Sequence, residues 1–210
     1  MLCPEGYYCR SLGTTDTFTD CPVGYYCPEG AKDPTICSQG TYNPTPNSWL
    51  PEHCLECPAG KYCASEGLDA PTGNCDAGYF CSTSVIEAAP QEEDTVETPP
   101  RWGPCPMGHY CEEGTAFPFK CPIGTYNDVL FSEDSSVCND CDAGYYGETT
   151  GLPVSTCTGK CAAGFYCSGG TTTHSPEGTN GDRCRAGTYC PEGSFSETVC
   201  PAGQYNPNEG

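Results

Sequence analysis

Large apolar side chains do not gather into runs in this chain; they return one at a time. The position that recurs with a fixed phase is an aromatic ring five residues after a cysteine, in the pattern C-x2-G-x-aromatic. Eleven copies start at Cys3, Cys21, Cys37, Cys57, Cys75, Cys105, Cys121, Cys141, Cys161, Cys184 and Cys200, numbered below as modules 1 to 11. The fourth position is always Gly, and the sixth is Tyr except for Phe80. No segment carries the period of an amphipathic helix. The pattern predicts small disulfide-rich repeats: short β-hairpins and turns, little or no helix, and no single hydrophobic core.

Each recurring position has a physical task. Gly supplies a positive φ or a close backbone approach in a tight turn. Pro follows the cysteine in six copies (Pro4, Pro22, Pro58, Pro106, Pro122, Pro201) and pre-sets φ at the turn entry. The ring is expected to pack on a neighbouring disulfide, a miniature core of carbon and sulfur. An exposed Tyr ladder used for binding is the functional alternative. Above the module lies a longer period. Identical cysteine spacings begin at Cys21, Cys105 and Cys184, giving superrepeats of 84 and 79 residues. Residues 1–20 read as the end of a preceding superrepeat, 21–104 as a first copy with an acidic linker at 85–104, 105–183 as a second, and 184–210 as the start of a third. The chain is thus expected to be a piece of a longer array. Modules that contact only their neighbours predict an elongated rod, with a radius of gyration above the roughly 17 Å of a compact chain of this length.

Composition sharpens this picture. The chain has 210 residues and 21 cysteines, but only 7 Leu, 3 Ile, 7 Val and 7 Phe. With a formal charge of −20, so few core formers cannot fold a chain by burial alone. Cross-links must substitute, which implies an oxidising, extracellular or cell-surface location. Eight basic residues, scattered, argue against nucleic acid. No stretch is apolar enough to insert in a membrane, and no export leader precedes Cys3.

Two disulfide registers fit the spacing. In the first, each module's opening cysteine bonds the next cysteine: Cys3–Cys9, Cys21–Cys27, Cys37–Cys54, Cys57–Cys63, Cys75–Cys81, Cys105–Cys111, Cys121–Cys138, Cys141–Cys157, Cys161–Cys167 and Cys184–Cys190. Cys200 then stays unpaired within the segment. The second register shifts every pair by one, strands Cys3, and closes tight C-x2-C rings at Cys54/Cys57 and Cys138/Cys141, a geometry more usual in reducible, catalytic pairs.

The long modules read C-x2-G-T-Y-N…C-x2-C, at Cys37 to Cys57 and Cys121 to Cys141. This resembles the ephrin-receptor-like cysteine-rich repeat and the first submodule of tumour necrosis factor receptor repeats. The resemblance implies Cys37–Cys54 and Cys121–Cys138, and it implies architecture rather than activity. Such repeats occur in receptor ectodomains and in large extracellular proteins of protists, including flagellar-hair-type surface proteins. The interspersed C-x5-C modules depart from the receptor pattern and look more like the protist arrays.

Candidate chemistry is sparse. His53, His109 and His174 suggest no nucleophile, base and orienting group, and an enzyme is not expected. The C-x2-C pairs lie 81 residues apart, unlike zinc knuckles within one module. Calcium is the one cofactor considered, at Glu92, Glu93 and Asp94 or at Asn139, Asp140 and Asp142; no known loop spacing matches, so cofactors are expected to be none. No N-glycosylation sequon is present, while Thr45, Thr98, Thr171, Thr172 and Thr173 are candidate O-glycan acceptors. Two functions follow as expectations. One is a structural segment of an extracellular fibril, coat or appendage, whose partners are copies of itself or neighbouring repeats, with glycans as further ones. The other is a ligand-binding or adhesive ectodomain, with Trp49 and Trp102, which break the repeat, as candidate contacts.

Overall fold

The structure, a computed structural model, is described over residues 2–10, 18–91 and 101–210. The chain divides into two compact units, Met1–Pro104 with Glu112–Phe117, and Cys105–Cys111 with Pro118–Gly210.

The motif dictates one hairpin per module. The Gly lies at positive φ, as at Gly24 (79°), and turns the chain so that the next two residues form a strand. The partner strand is the pair just before the following module's first cysteine. In module 2, Tyr25–Tyr26 pairs antiparallel with Thr35–Ile36. Ten such two-stranded sheets run from Tyr7–Tyr8 with Thr19–Asp20 to Thr188–Tyr189 with Thr198–Val199. Modules 5 and 9 gain a residue on each strand, pairing Tyr79–Cys81 with Trp102–Pro104 and Phe165–Cys167 with Gly181–Arg183. The helical elements among the described residues are two single 3₁₀ turns, Pro51–His53 and Ser135–Val137, each ending at the closing cysteine of a long module. Asp134 caps the second by accepting from the Ser136 N–H at 2.7 Å.

The residue after the opening cysteine shows why Pro is favoured there. Pro has no N–H to satisfy. Four of the five modules without it supply an acceptor: Asp76 donates to Ala88, Asp142 to Ser155 and Ala162 to His174 through the main chain, and Arg185 to the Glu197 carboxylate. The loop folds back only where the donor exists.

Ten disulfides join Cys3–Cys9, Cys21–Cys27, Cys37–Cys54, Cys57–Cys63, Cys75–Cys81, Cys105–Cys111, Cys121–Cys138, Cys141–Cys157, Cys161–Cys167 and Cys184–Cys190. This is the register in which each opening cysteine takes the next one. The two-residue interval of each C-x2-C is the return strand itself, Leu55–Glu56 and Asn139–Asp140. The interior is built of sulfur. Most paired cysteines are buried, and besides Pro90 and Pro176 the large apolar side chains buried with them among the described residues are Phe80 and Val85. The motif rings are half-buried rather than central, apart from buried Phe80 and exposed Tyr189 and Tyr205. Tyr62 packs with Trp102 against Cys75, Cys81 and Val85, placing a ring on the next module's disulfide. Tyr62 also lies over Gly73 of its own return strand, where a Cβ would stand 3.2 Å from the ring, and Tyr110 stacks on Phe119 at 5.4 Å. Ten disulfides point to an extracellular or secretory environment. Among the described residues no helix is long and apolar enough to cross a membrane.

Candidate functional site

The most regular chemistry in the molecule is the junction between modules, and it is made of main chain. Modules 2 and 3 show it. The motif Gly24 N–H donates to the Asn43 carbonyl at 2.8 Å, and the Gly24 carbonyl accepts from the Cys37 N–H at 2.9 Å. Cys27 N–H donates to the Ser48 carbonyl, and Asn47 N–H to the Cys21 carbonyl, both at 2.8 Å. The same four bonds join modules 7 and 8: Gly124 to Gly147, Cys141 to Gly124, Asn127 to Leu152 and Gly151 to Cys121, at 2.8 to 3.0 Å. The bond to the opening cysteine's carbonyl is present at all ten junctions.

The donor of that last bond is a position the sequence analysis did not single out. It is Gly30, Asn47, Gly67, Ser84, Gly114, Phe131, Gly151, Gly170, Gly193 or Gly210, nine or ten residues into its module, and φ there runs from 56° to 94°. A signal existed, since Gly30, Gly114 and Gly193 all fall in C-x5-C-x2-G. Asn47, Ser84 and Phe131 hid the rest. The carbonyl of this left-handed residue rests on the motif Gly two modules earlier. A Cβ on Gly6 would stand 2.7 Å from the Asn47 oxygen, and one on Gly24 would overlap the Gly67 carbonyl. A motif Gly covered in this way therefore answers two demands at once, its φ and this approach, whereas Gly187 and Gly203 have nothing within 4 Å of a Cβ.

Two further positions were missed. The side chain after the left-handed residue plugs the junction and is buried at Ser48, Val85, Thr115, Ser132 and Thr171. Where the second cysteine is replaced by the Asn of G-T-Y-N, that Asn is buried and crosses to the preceding module. Asn43 donates to the Tyr25 carbonyl and Asn127 to the His109 carbonyl, each at 2.8 Å, while their side-chain oxygens accept from Thr45 and Val129 N–H at 3.0 Å. The bridge stands in for the missing disulfide.

The remaining candidates sit apart from one another. Trp49 is 40% exposed, meets His53 edge-on at 4.6 Å, and donates its backbone N–H to the His53 ring at 3.3 Å. Trp102 is strand packing over Cys75 and Cys81, with Arg101 over its ring. His109 contacts the Met107 carbonyl, and His174 lies edge-on to Tyr146. Among the calcium candidates, Asp142 accepts from Ser155 at 2.7 Å and Asn139 donates to the Val137 carbonyl; Glu92, Glu93 and Asp94 lie outside the described residues. Among the described residues no group of three or more His, Cys, Asp or Glu is placed to hold a metal ion. All four sulfurs of the C-x2-C pairs are taken by disulfides, and Cys200 is a free thiol.

One glycan acceptor is corrected. Thr171 is buried, and its hydroxyl donates to the Asn180 carbonyl at 2.6 Å, so the folded chain withholds it from modification. Thr45, Thr172 and Thr173 are exposed, and Thr98 lies outside the described residues. Thr172 and Thr173 border an open depression of about 230 Å³ with Pro176, Glu177, Thr179 and Asn180. No protein-family model matches this chain, and no curated protein matches it.

Proposed function

We propose that the chain is a structural segment of a secreted fibril, coat or cell-surface appendage, built for continuity rather than catalysis. The observation that carries this reading is the junction, where one set of main-chain bonds recurs from module to module whatever the loops contain. Repetition of one asymmetric contact is the means by which an open assembly extends. The likeness of the long modules to ephrin-receptor-like repeats supports a surface location, and copies of the same repeat are the partners it suggests. Immunogold labelling of native material with antibodies against the folded chain tests the reading. Label along periodic fibres or a continuous coat is expected; label on isolated particles would overturn it.

The exposed ring of Trp49, together with Leu50 at 45% exposure, favours adhesion as the second reading. There Trp49→Ala would abolish attachment to cells while leaving fibres intact.

A further inference from the structure

The closing cysteines of the modules are of two kinds. In the C-x5-C modules they are wedged into the junctions on both sides. Cys27 N–H donates to the Ser48 carbonyl of the next module, and the Cys27 carbonyl accepts from Gly6 N–H of the module before, at 2.8 and 2.9 Å. Cys63 does the same with Val85 and Gly40, Cys81 with Thr115 and Gly60, and Cys167 with Ser194 and Gly144. In modules 3 and 7 the buried Asn takes over both bonds. Asn43 and Asn127 accept from Gly24 and Gly108 and donate to the Leu68 and Leu152 carbonyls, at 2.7 to 3.0 Å. Their closing cysteines are left with a local turn, Cys54 N–H donating to Pro51 and Cys138 N–H to Ser135 at 3.0 and 3.2 Å. Cys54 and Cys138 are half-buried, while their partners Cys37 and Cys121 are buried. Cys157 of module 8 also ends a local turn, but Ser155 beside it ties the loop to Asp142 through its carbonyl and its hydroxyl, at 2.9 and 2.7 Å.

We propose that Cys37–Cys54 and Cys121–Cys138 are redox-switched loop clasps, cut by an external dithiol while the modules stay joined. A thiolate of the dithiol attacks Sγ of the half-buried Cys54 or Cys138. The S–S bond breaks, and its electron pair leaves on Sγ of Cys37 or Cys121, which takes up a proton. The second thiol of the reagent then displaces Cys54 or Cys138 as a thiol, and the reagent departs as its own disulfide, having given two electrons. Cutting releases the loop between the buried plug and the return strand, residues 49–54 in module 3 and 133–138 in module 7. The junction bonds of Gly24, Cys27, Asn43 and Asn47, and those of Gly108, Cys111 and Asn127, involve no residue of these loops and remain. A C-x5-C pair behaves differently. Its short ring is held at both neighbouring junctions, so a cut pair keeps its thiols together and recloses.

Graded reduction of the folded full chain with dithiothreitol tests the order of cutting. Cys200 is capped beforehand, new thiols are trapped with iodoacetamide, and the labelled peptides are mapped by mass spectrometry. Cys54 and Cys138 are expected to label about 10-fold faster than Cys27, Cys63, Cys81, Cys111 and Cys167. Labelling of the C-x5-C cysteines first, or at the same rate, overturns the proposal. Variants test the second half without any reductant. Cys37→Ala combined with Cys54→Ala should leave the Gly24, Cys27 and Asn43 amide resonances dispersed while the Trp49 indole resonance moves. Cys57→Ala combined with Cys63→Ala should collapse the Gly40 and Cys63 resonances. Collapse of the Gly24, Cys27 and Asn43 resonances in the first pair overturns the proposal, as does survival of the Gly40 and Cys63 resonances in the second.

Discussion

Gly24→Ala is the sharpest probe of the junction, because a matched control exists in the same chain. The new methyl meets two obstacles. At φ 79° any L-residue other than Gly costs about 1–2 kcal/mol. The Cβ would also overlap the Gly67 carbonyl of module 4, which must move. Moving it disturbs Gly67 N–H to Cys37 and the neighbouring Asn43 N–H to Leu68, bonds of 2.9 and 2.8 Å. At about 1 kcal/mol net for each bond, the total loss is about 3–4 kcal/mol. Gly187 holds the same motif position at φ 86°, yet a Cβ there meets nothing within 4 Å. Gly187→Ala should therefore cost the strain alone, about 1–2 kcal/mol. The gap of about 2 kcal/mol corresponds to roughly a 30-fold change in local opening. A urea titration followed residue by residue in two-dimensional NMR spectra reads both variants with the disulfides intact. Linear repeats can unfold in parts, so the local resonances and not a global midpoint carry the answer. Equal losses for the two variants would show that the carbonyl over Gly24 is irrelevant, and the account of the invariant Gly would fail.

Three other outcomes are expected. Asn127→Ala removes donors to His109 and Ser132 and an acceptor for Val129 inside a buried site, and should cost about 2–4 kcal/mol in the same titration; a loss below 1 kcal/mol would mean the Asn does not replace a disulfide. Full reduction and alkylation should collapse amide dispersion throughout, since little besides sulfur is buried; a chain that keeps its dispersed spectrum contradicts the cross-link argument. The Glu197 carboxyl is held below its ordinary 4.5, first by hydrogen bonding from the Arg185 side chain and then from the Arg185 N–H. A depressed folded value means that the stabilisation is present above the unfolded pKa and fades as pH falls through the folded one. Carbon-detected titration of Glu197 should thus show a midpoint under 4.5 that rises in Arg185→Gln, and an unmoved midpoint would remove Arg185 as the cause.

The hairpins and the sulfur interior were legible because each rests on residues with few physical options. A cysteine spacing that repeats leaves few pairings, and a Gly followed by a ring leaves few turns. The left-handed junction position was not legible in the same way. Its requirement is a backbone angle that Gly meets freely but Asn47, Ser84 and Phe131 also meet at a cost, so the residue type varies while the geometry does not. The buried Asn of G-T-Y-N escaped for a related reason. Asn beside a turn usually serves its own loop, and only the approach of the preceding strand shows Asn43 reaching the Tyr25 carbonyl. Thr171 illustrates the reverse error, because a Thr- and Pro-rich loop reads as exposed until the Asn180 carbonyl is seen to take its hydroxyl.

A junction closed by main-chain groups asks almost nothing of side chains beyond the motif Gly, the disulfide and a small plug. Loop residues are consequently free of the fold, and those that work against it are the informative ones. Polar loops such as Asn206 to Gly210 make their junction bonds, Gly187 to Asn206 and Gly210 to Cys184, without strain. Val129 and Leu130 place exposed apolar surface in the same loop, which the junction bonds do not require. Trp49 and Leu50 stand in the matching loop of module 3, one superrepeat earlier, again exposed and again unnecessary to the junction. That both excesses fall in G-T-Y-N modules follows from construction. These modules hold the junction with a buried Asn and close their disulfide 17 residues away, which leaves a long loop between the two anchors. The C-x5-C modules close within six residues, before their left-handed turn is reached. The exposed Trp49, Leu50, Val129 and Leu130 thus lie inside the two longest disulfide loops.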